Sequence, residues 1–312
     1  MVTTRSTEGC PRCAGRKYVI ERRDNRALAR ACDCSERCDV CSGTGSVYAT
    51  REETFSQKVG PRKYEVLVPC ACALLRRRIA RFNEVELPGV LAHASYDNYR
   101  ASSGAAELAK HVALDFAHHY RKDGDNKGFI ISGPVGTGKT HLLAATLSHL
   151  VLEGGAEARY VEISFLYATI RKGFKDGKSG GEIIGPLSEV EVLAIDELGK
   201  GRGSQFELDT LDELISRRYN AKRTTLFATN YALAPERRSS VRTAAGYQSS
   251  EGLKQAAAEP ELLLRERVGE RIYSRLCEMC TFVELPRETP DQRRTKQELD
   301  PRLKALSALT KR

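Results

Sequence analysis

Two short runs of this sequence have the residue types and spacing for phosphate chemistry. The first, Gly133-Pro134-Val135-Gly136-Thr137-Gly138-Lys139-Thr140, fits the pattern G-x-x-x-x-G-K-[ST]. It follows a short apolar stretch, Gly128–Ser132, that reads as a strand, and it opens a helical pattern over His141–Leu152. That context gives the pattern its meaning. Glycines let successive backbone N–H groups turn inward around phosphates, and the following helix presents its positive end to them. Lys139 is placed to neutralise the β- and γ-phosphates, and the Thr140 hydroxyl to ligate Mg²⁺. The ligand expected is ATP.

The second run is Val192-Leu193-Ala194-Ile195-Asp196-Glu197. An apolar strand that ends in two adjacent acids implies a cation or a water at its end. Asp196 suits Mg²⁺, held through water, and Glu197 suits the orientation or deprotonation of an attacking water. A third apolar strand, Leu226-Phe227-Ala228-Thr229, ends in Asn230. Its amide can reach the γ-phosphate or the water, although Thr-Asn is also ordinary turn chemistry.

A different chemistry occupies the N-terminal quarter. Of ten cysteines, eight precede residue 75, as four close pairs: Cys10/Cys13, Cys32/Cys34, Cys38/Cys41 and Cys70/Cys72. The sequence opens without an apolar segment of the secretory kind, so this clustering reads as metal binding in the cytosol and not as disulfides. Cys10-Pro11-Arg12-Cys13-Ala14-Gly15 and Cys38-Asp39-Val40-Cys41-Ser42-Gly43-Thr44-Gly45 resemble the half-sites of DnaJ-type zinc domains. Each Cys-x-x-Cys turn directs two thiolates at one tetrahedral ion. These two knuckles are expected to close one Zn²⁺ site, leaving Cys32/Cys34 and Cys70/Cys72 for a second. The pair Cys277/Cys280, without partners, reads as buried thiols.

The elements that must position these groups alternate. Strands are expected at Gly128–Ser132, Ala158–Ile163, Val190–Ile195, Thr224–Thr229 and Thr281–Leu285, with helices over 105–121, His141–Leu152 and Phe206–Tyr219. Alternation of this kind implies an α/β fold with a parallel sheet. Leu108, Val112, Leu114 and Phe116 mark the apolar face expected of the helix over 105–121. The organisation expected is a cysteine-rich zinc-binding domain over 1–85, a linker over 86–104, an ATPase domain over 105–285 with a mobile insertion at 236–262, and a basic tail over 286–312. No run of 18 apolar residues exists, so no membrane-spanning helix is expected.

Net charge is +9 and sits at the ends. Residues 1–90 hold 17 Lys/Arg against 11 Asp/Glu, and residues 286–312 hold 8 against 4. Basic ends suit an anionic partner such as nucleic acid. Two Zn(Cys)₄ centres at −2 each would reduce the N-terminal surplus of six to two, leaving the run Arg76–Arg81 as the local basic feature.

Taken in order, the phosphate loop, Asp196-Glu197, Thr229-Asn230 and then Arg271-Ile272-Tyr273-Ser274-Arg275-Leu276 resemble the AAA+ helicase loaders of the DnaC/DnaI type. The related IstB-type transposition helpers are similar. Ser95-Tyr96-Asp97-Asn98-Tyr99-Arg100 resembles the segment that leads into that family's ATPase core, and Arg217-Arg218-Tyr219 is also familiar. The resemblance covers roughly residues 70–295. It implies an AAA+ core with sheet order 5-1-4-3-2, Asn230 as sensor 1, and Arg275 as an arginine finger reaching the neighbouring subunit's ATP, with Arg271 supporting it. Arg293 corresponds to the sensor 2 arginine only through a Pro286–Pro290 stretch that departs from the family pattern. The function implied is ATP-dependent loading of a replicative helicase hexamer, with ATP hydrolysed between self-associated subunits and single-stranded DNA bound. The alternatives are a transposition helper acting with a transposase, and an adaptor or chaperone built on the zinc module with ATP as its switch.

Overall fold

A computed structural model describes residues 9–54, 60–122, 124–233 and 263–293. Two antiparallel hairpins come first: β1 (Tyr18–Arg23) with β2 (Arg26–Ala31), and β3 (Ser46–Thr54) with β4 (Pro61–Pro69). Asp24-Asn25 makes the two-residue turn of the first, and Asp24 takes the positive φ (51°) that such turns require. Helix α1 (Ala71–Glu84) follows β4, and α2 (Gly104–His119) follows the segment between them.

The rest is an α/β core. In chain order it runs β5 (Gly128–Ser132), α3 (Lys139–Leu152), β6 (Ala158–Glu162), α4 (Ile163–Lys175), α5 (Gly180–Glu189), β7 (Val192–Asp196), α6 (Gln205–Asn220), β8 (Thr224–Thr229), α7 (Leu264–Val268), α8 (Glu270–Met279) and β9 (Cys280–Glu284). Its five strands are all parallel, in the order β6-β7-β8-β5-β9, which is 5-1-4-3-2 in the core's own numbering. β5, β7 and β8 are buried along their whole length, as strands covered on both faces must be. One apolar cluster on one side joins Ile131, Leu142, Leu147, Ala194 and Ala228; another on the other side joins Ile130, Ile195, Leu214, Phe227 and Ile272.

Three expectations change here. The segment expected as a linker is packed: Leu87, Ala92, Ala94, Tyr96 and Tyr99 are buried, and the Tyr96 hydroxyl lies 2.7 Å from Thr146 Oγ1 on α3. Helix α2 does not turn Leu108 inward, since that side chain is 57% exposed. Its buried face is an alanine stripe, Ala106, Ala109, Ala113 and Ala117, and small side chains let the helix lie close to α3 and β5. Of the pair Cys277/Cys280, only Cys280 is buried; Cys277 is exposed. The insertion expected at 236–262 lies outside the described residues, as does the tail beyond 293.

The N-terminal hairpins are not equivalent. Tyr18, Ala27 and Ala29 of the first belong to the same buried cluster as Phe82 of α1 and Leu142 of α3. Tyr18 donates a 2.7 Å hydrogen bond to Glu153 just past α3, and Asn83 of α1 exchanges hydrogen bonds with both Ala29 backbone groups. The second hairpin exposes Tyr48 (74%) and its cross-strand partner Leu67 (63%). Of the basic run on α1, Arg78 and Arg81 are spent within the chain. They donate to the Leu152 and Gly155 carbonyls at the end of α3, and Arg81 pairs with Glu157. Cations at a helix C-terminus are stabilising, so part of this run serves packing.

Candidate functional site

The phosphate loop joins β5 to α3, and each of its three glycines is pressed by a different part of the chain. All three have positive φ: Gly133 (143°), Gly136 (83°) and Gly138 (90°). A Cβ on Gly133 would come within 2.7 Å of the Leu285 carbonyl oxygen. One on Gly136 would meet the Asp291 carboxylate at 2.0 Å, and one on Gly138 the Tyr99 ring at 2.6 Å. Gln292 binds the loop further. Its backbone N–H donates to Gly136 O (3.0 Å), and its amide donates to Thr137 O (3.2 Å) and Arg100 O (2.6 Å). The Tyr99 hydroxyl also donates to Thr137 O, at 3.2 Å.

Lys139 is buried, and its ammonium donates to the Gly133 and Pro134 carbonyls at 2.7 and 2.6 Å. Burial pushes it down to about 8, against the pull of the Asp196 charge. An ammonium held in so dry a place favours an anion beside it. Thr140 is half-buried in the first turn of α3.

Asp196 ends β7 and is buried, with both oxygens fixed. Tyr160 on β6 donates to Oδ2 at 2.8 Å, and the Glu197 backbone N–H donates to Oδ1 at 2.9 Å. Glu197 takes φ 56°, a conformation uncommon outside glycine. Its carboxylate pairs with Lys200, which also reaches Glu162 at 3.3 Å. Burial works against the Glu197 charge, but Lys200, Glu162 and the Lys139 charge hold its carboxyl below the usual range. Asn230, exposed, follows Thr229, which pairs with Ser132; it therefore lies level with Gly133 at the edge of the loop.

Arg275 and Arg271 lie on α8 and turn to α6 of their own chain. Arg275 reaches Asp212 (2.8 Å) and Ser216 (2.5 Å) and lies over the Tyr219 ring, while Arg271 approaches Asp212 at 3.6 Å. Arg293 donates its backbone N–H to Asp291, and its charge is felt by Lys139. Tyr99, Tyr160, Glu162, Lys200 and Gln292 are parts of the site that sequence reasoning missed. Tyr160 and Glu162 alternate on a strand beside Asp196, which is a legible signal; Gln292 carried none.

The cysteines form two centres, Cys10/Cys13/Cys32/Cys34 and Cys38/Cys41/Cys70/Cys72. This corrects the expected pairing of the two knuckles with each other. Each knuckle precedes a hairpin and each Cys-x-Cys pair follows one, so the antiparallel strands return the second pair to the first. The unit is a knuckle, a hairpin and a Cys-x-Cys pair, used twice. Sulfur separations of 3.8 and 3.5 Å in the first centre, and 3.7 and 3.4 Å in the second, approach the ~3.8 Å edge of a tetrahedron with ~2.3 Å Zn–S bonds. The residues fit a tetrahedral ion. Cys41 is lowered to about 6, chiefly by the Gly45 backbone N–H that donates to its sulfur at 3.3 Å. Cys70 is the N-cap of α1, so the second centre sits on that helix's positive end.

Residues 73–238, just over half of the chain, match the family model described as IstB-like ATP binding protein. The chain belongs to the IstB-like ATP-binding family. Among curated relatives in this family's range, the replicative helicase loader DnaC of Escherichia coli K12 is 30% identical over 150 residues, 48% of this chain and 60% of DnaC. An uncharacterised protein of the same organism, YdaV, is 29% identical over 136 residues, 44% of this chain and 54% of its own length. This IstB-like chain thus spans somewhat over half the length of the curated relatives it matches. In three dimensions it is similar to a crystal structure of the DnaC helicase loader, with TM-score 0.50 and 26% identity over 63% of this chain and 99% of that one. Among the described residues, no helix is long and apolar enough to cross a membrane.

Proposed function

We propose that this IstB-like protein is an ATP-hydrolysing loader of a replicative helicase hexamer. One arrangement carries the reading. Lys139 in its glycine loop, Asp196 fixed at both oxygens and Glu197 beside it converge at the carboxyl ends of β5 and β7, the parallel strands on either side of β8. In open α/β sheets that is where ligands bind. ATP binds with its phosphates on Gly133–Thr140, and Mg²⁺ is held by Thr140 and Asp196, supplying charge neutralisation at the γ-phosphate. Glu197 orients the attacking water, Asn230 senses the γ-phosphate, and Arg275 of one subunit serves the ATP of the next. For that, Arg275 must leave Asp212 when subunits associate. Zn²⁺ fills both cysteine centres and holds the hairpins in place.

Helix α4 supports binding of single-stranded DNA. It exposes Phe174 (51%), edge-on to Phe206, between Lys172 and Lys175, with Lys178 just beyond; Phe165 (68%) is exposed near the start of the helix, on another side. Exposed aromatic rings among cations are what stacked bases and a phosphate chain require. The likeness to DnaC favours a helicase as the protein partner; the family's IstB-like description favours a transposase as the second reading.

Glu197→Gln tests both. The variant should bind ATP, lose turnover by at least ~10²-fold and persist as an ATP-bound assembly. Purified with ATP from its native host, it should carry the ring helicase. Recovery of a transposase moves the assignment to the helper, and unchanged turnover removes Glu197 from its role.

A further inference from the structure

The loop between β7 and α6 alternates glycine with cations: Gly199, Lys200, Gly201, Arg202, Gly203. All three glycines have positive φ, 88°, 144° and 71°. Lys200 is the only one of these cations that reaches the candidate site. Its ammonium joins the carboxylates of Glu197 and Glu162, and its backbone N–H donates to Glu197 O at 2.9 Å.

What holds Lys200 there is Arg267, on α7. Its Nε donates to Gly199 O at 3.0 Å, and its Nη2 to Gly201 O at 2.6 Å. One guanidinium therefore grips the carbonyls on both sides of Lys200, a task that needs two donors in a fixed fork. The same guanidinium lies 5.2 Å from the ring centre of Tyr231, the residue after Asn230. The fit is close: a Cβ on Gly199 would stand 2.9 Å from the Tyr231 ring. From the other side, Glu207 accepts from Gly203 N at 2.9 Å. The loop is clamped between Arg267 and Glu207, and only Gly269 separates α7 from α8, which carries Arg271 and Arg275.

We infer that Arg267 is a positioning residue for hydrolysis: by fixing Lys200 it keeps the Glu197 carboxylate bound to an ammonium, and it ties that restraint to the α7–α8 segment. The inference rests on the proposed role of Glu197. While Lys200 holds Glu197 Oε2, that oxygen is engaged by an ammonium instead of a water, and the carboxylate is turned to suit Lys200. A neighbouring subunit that draws Arg271 and Arg275 off Asp212 pulls on α7, loosens the grip on the loop and frees Glu197. Restraint and release thus run through one side chain that touches neither nucleotide nor water.

The test is steady-state ATP hydrolysis by the full chain, with kcat and KM separated. Lys200→Met and Arg267→Gln should each raise kcat about two- to fivefold, the scale of a partly exposed ion pair, with KM for ATP unchanged. Because the two residues act in series, the double variant should be no faster than the faster single. Arg267→Lys keeps the charge but can reach one carbonyl only, and should fall between. Should Arg267→Gln not fold, Arg267→Lys with Lys200→Met completes the same cycle. A kcat unchanged or lowered in both single variants, or effects that simply multiply in the double, overturns the inference. Absence of ATP turnover in the unmodified protein, with ATP still bound, instead refutes the hydrolytic reading on which it rests.

Discussion

Arg218 is a fully buried arginine with no carboxylate paired to it among the described residues, and its removal offers a sharp test of how the core is held. Its guanidinium donates to the Leu187 and Val190 carbonyls at 2.8 Å each, to Thr225 Oγ1 at 2.9 Å, and to Thr224 O. It therefore ties the end of α5 to the first residues of β8. Burial pushes it down to about 9, with Arg223 adding to the effect, so at neutral pH it remains charged. Arg218→Met fills similar volume and strands several buried acceptors at ~1–3 kcal/mol each. Part of that is offset because no charge is then desolvated. The net cost should be ~3–5 kcal/mol, as for one partner removed from a buried charged network. At roughly 2–4 °C per kcal/mol for a domain of this size, the thermal midpoint should fall by about 6–20 °C. Arg218→Lys, a point donor, should recover less than half. The assay is calorimetry or circular dichroism with ATP affinity measured alongside. A loss below ~1 kcal/mol would show that water or neighbouring amides satisfy those carbonyls, and that the guanidinium is not the tie.

Atomic absorption should find two zinc ions per chain. Stripping them should lower the thermal midpoint of the α/β core as well, because Tyr18, Ala27 and Ala29 share its buried cluster; Cys38→Ser, at the centre beside the exposed hairpin, should leave the core far less affected. A core indifferent to loss of both ions refutes this packing argument. Arg275→Ala should preserve ATP affinity and cut turnover of the assembled protein by about 10³-fold or more; loss of affinity instead would place Arg275 outside a finger role. Phe174→Ala should weaken single-stranded DNA binding by ~1–3 kcal/mol, roughly 5- to 150-fold, in a fluorescence anisotropy titration, and an unchanged affinity would exclude stacking on this ring.

The nucleotide loop and the strands on either side were legible because their signals are local. Gly133–Thr140 and Asp196-Glu197 each lie within a few residues of the strand that presents them. Sheet order came only with the family resemblance, since nothing in the residues themselves says which buried strands are neighbours. The cysteine centres misled for a related reason. Two similar knuckles invite pairing by likeness, whereas the chain pairs them through hairpins. The turn residues Asp24-Asn25 between the apolar runs Tyr18–Ile20 and Ala27–Ala29 would have indicated the first of these. Helix α2 was found, and Val112, Leu114 and Phe116 do pack on the core; only Leu108 was misplaced, because the alanines that form the fully buried stripe carry little apolar signal. The segment 86–104 looked like a linker from Pro88, Gly89 and its serines, yet its aromatic residues Tyr96 and Tyr99 are anchored at α3 and the phosphate loop. Gln292 could not be foreseen: its partners lie some 155 and 192 residues earlier in the chain.

The three glycine contacts of the phosphate loop also say something about synthesis. Leu285, Asp291 and Tyr99 press on it from both directions along the chain, and β5 pairs with β9 as well as β8. When Thr140 emerges from a ribosome, the whole nucleotide signature has been made, but the strand that flanks it and the residues that floor it have not. The pocket is completed by Leu285 and Asp291, long after its own sequence is out. A nascent chain halted before Leu285 would carry every letter of the motif, with Tyr99 in place but without Leu285 and Asp291, the walls against Gly133 and Gly136.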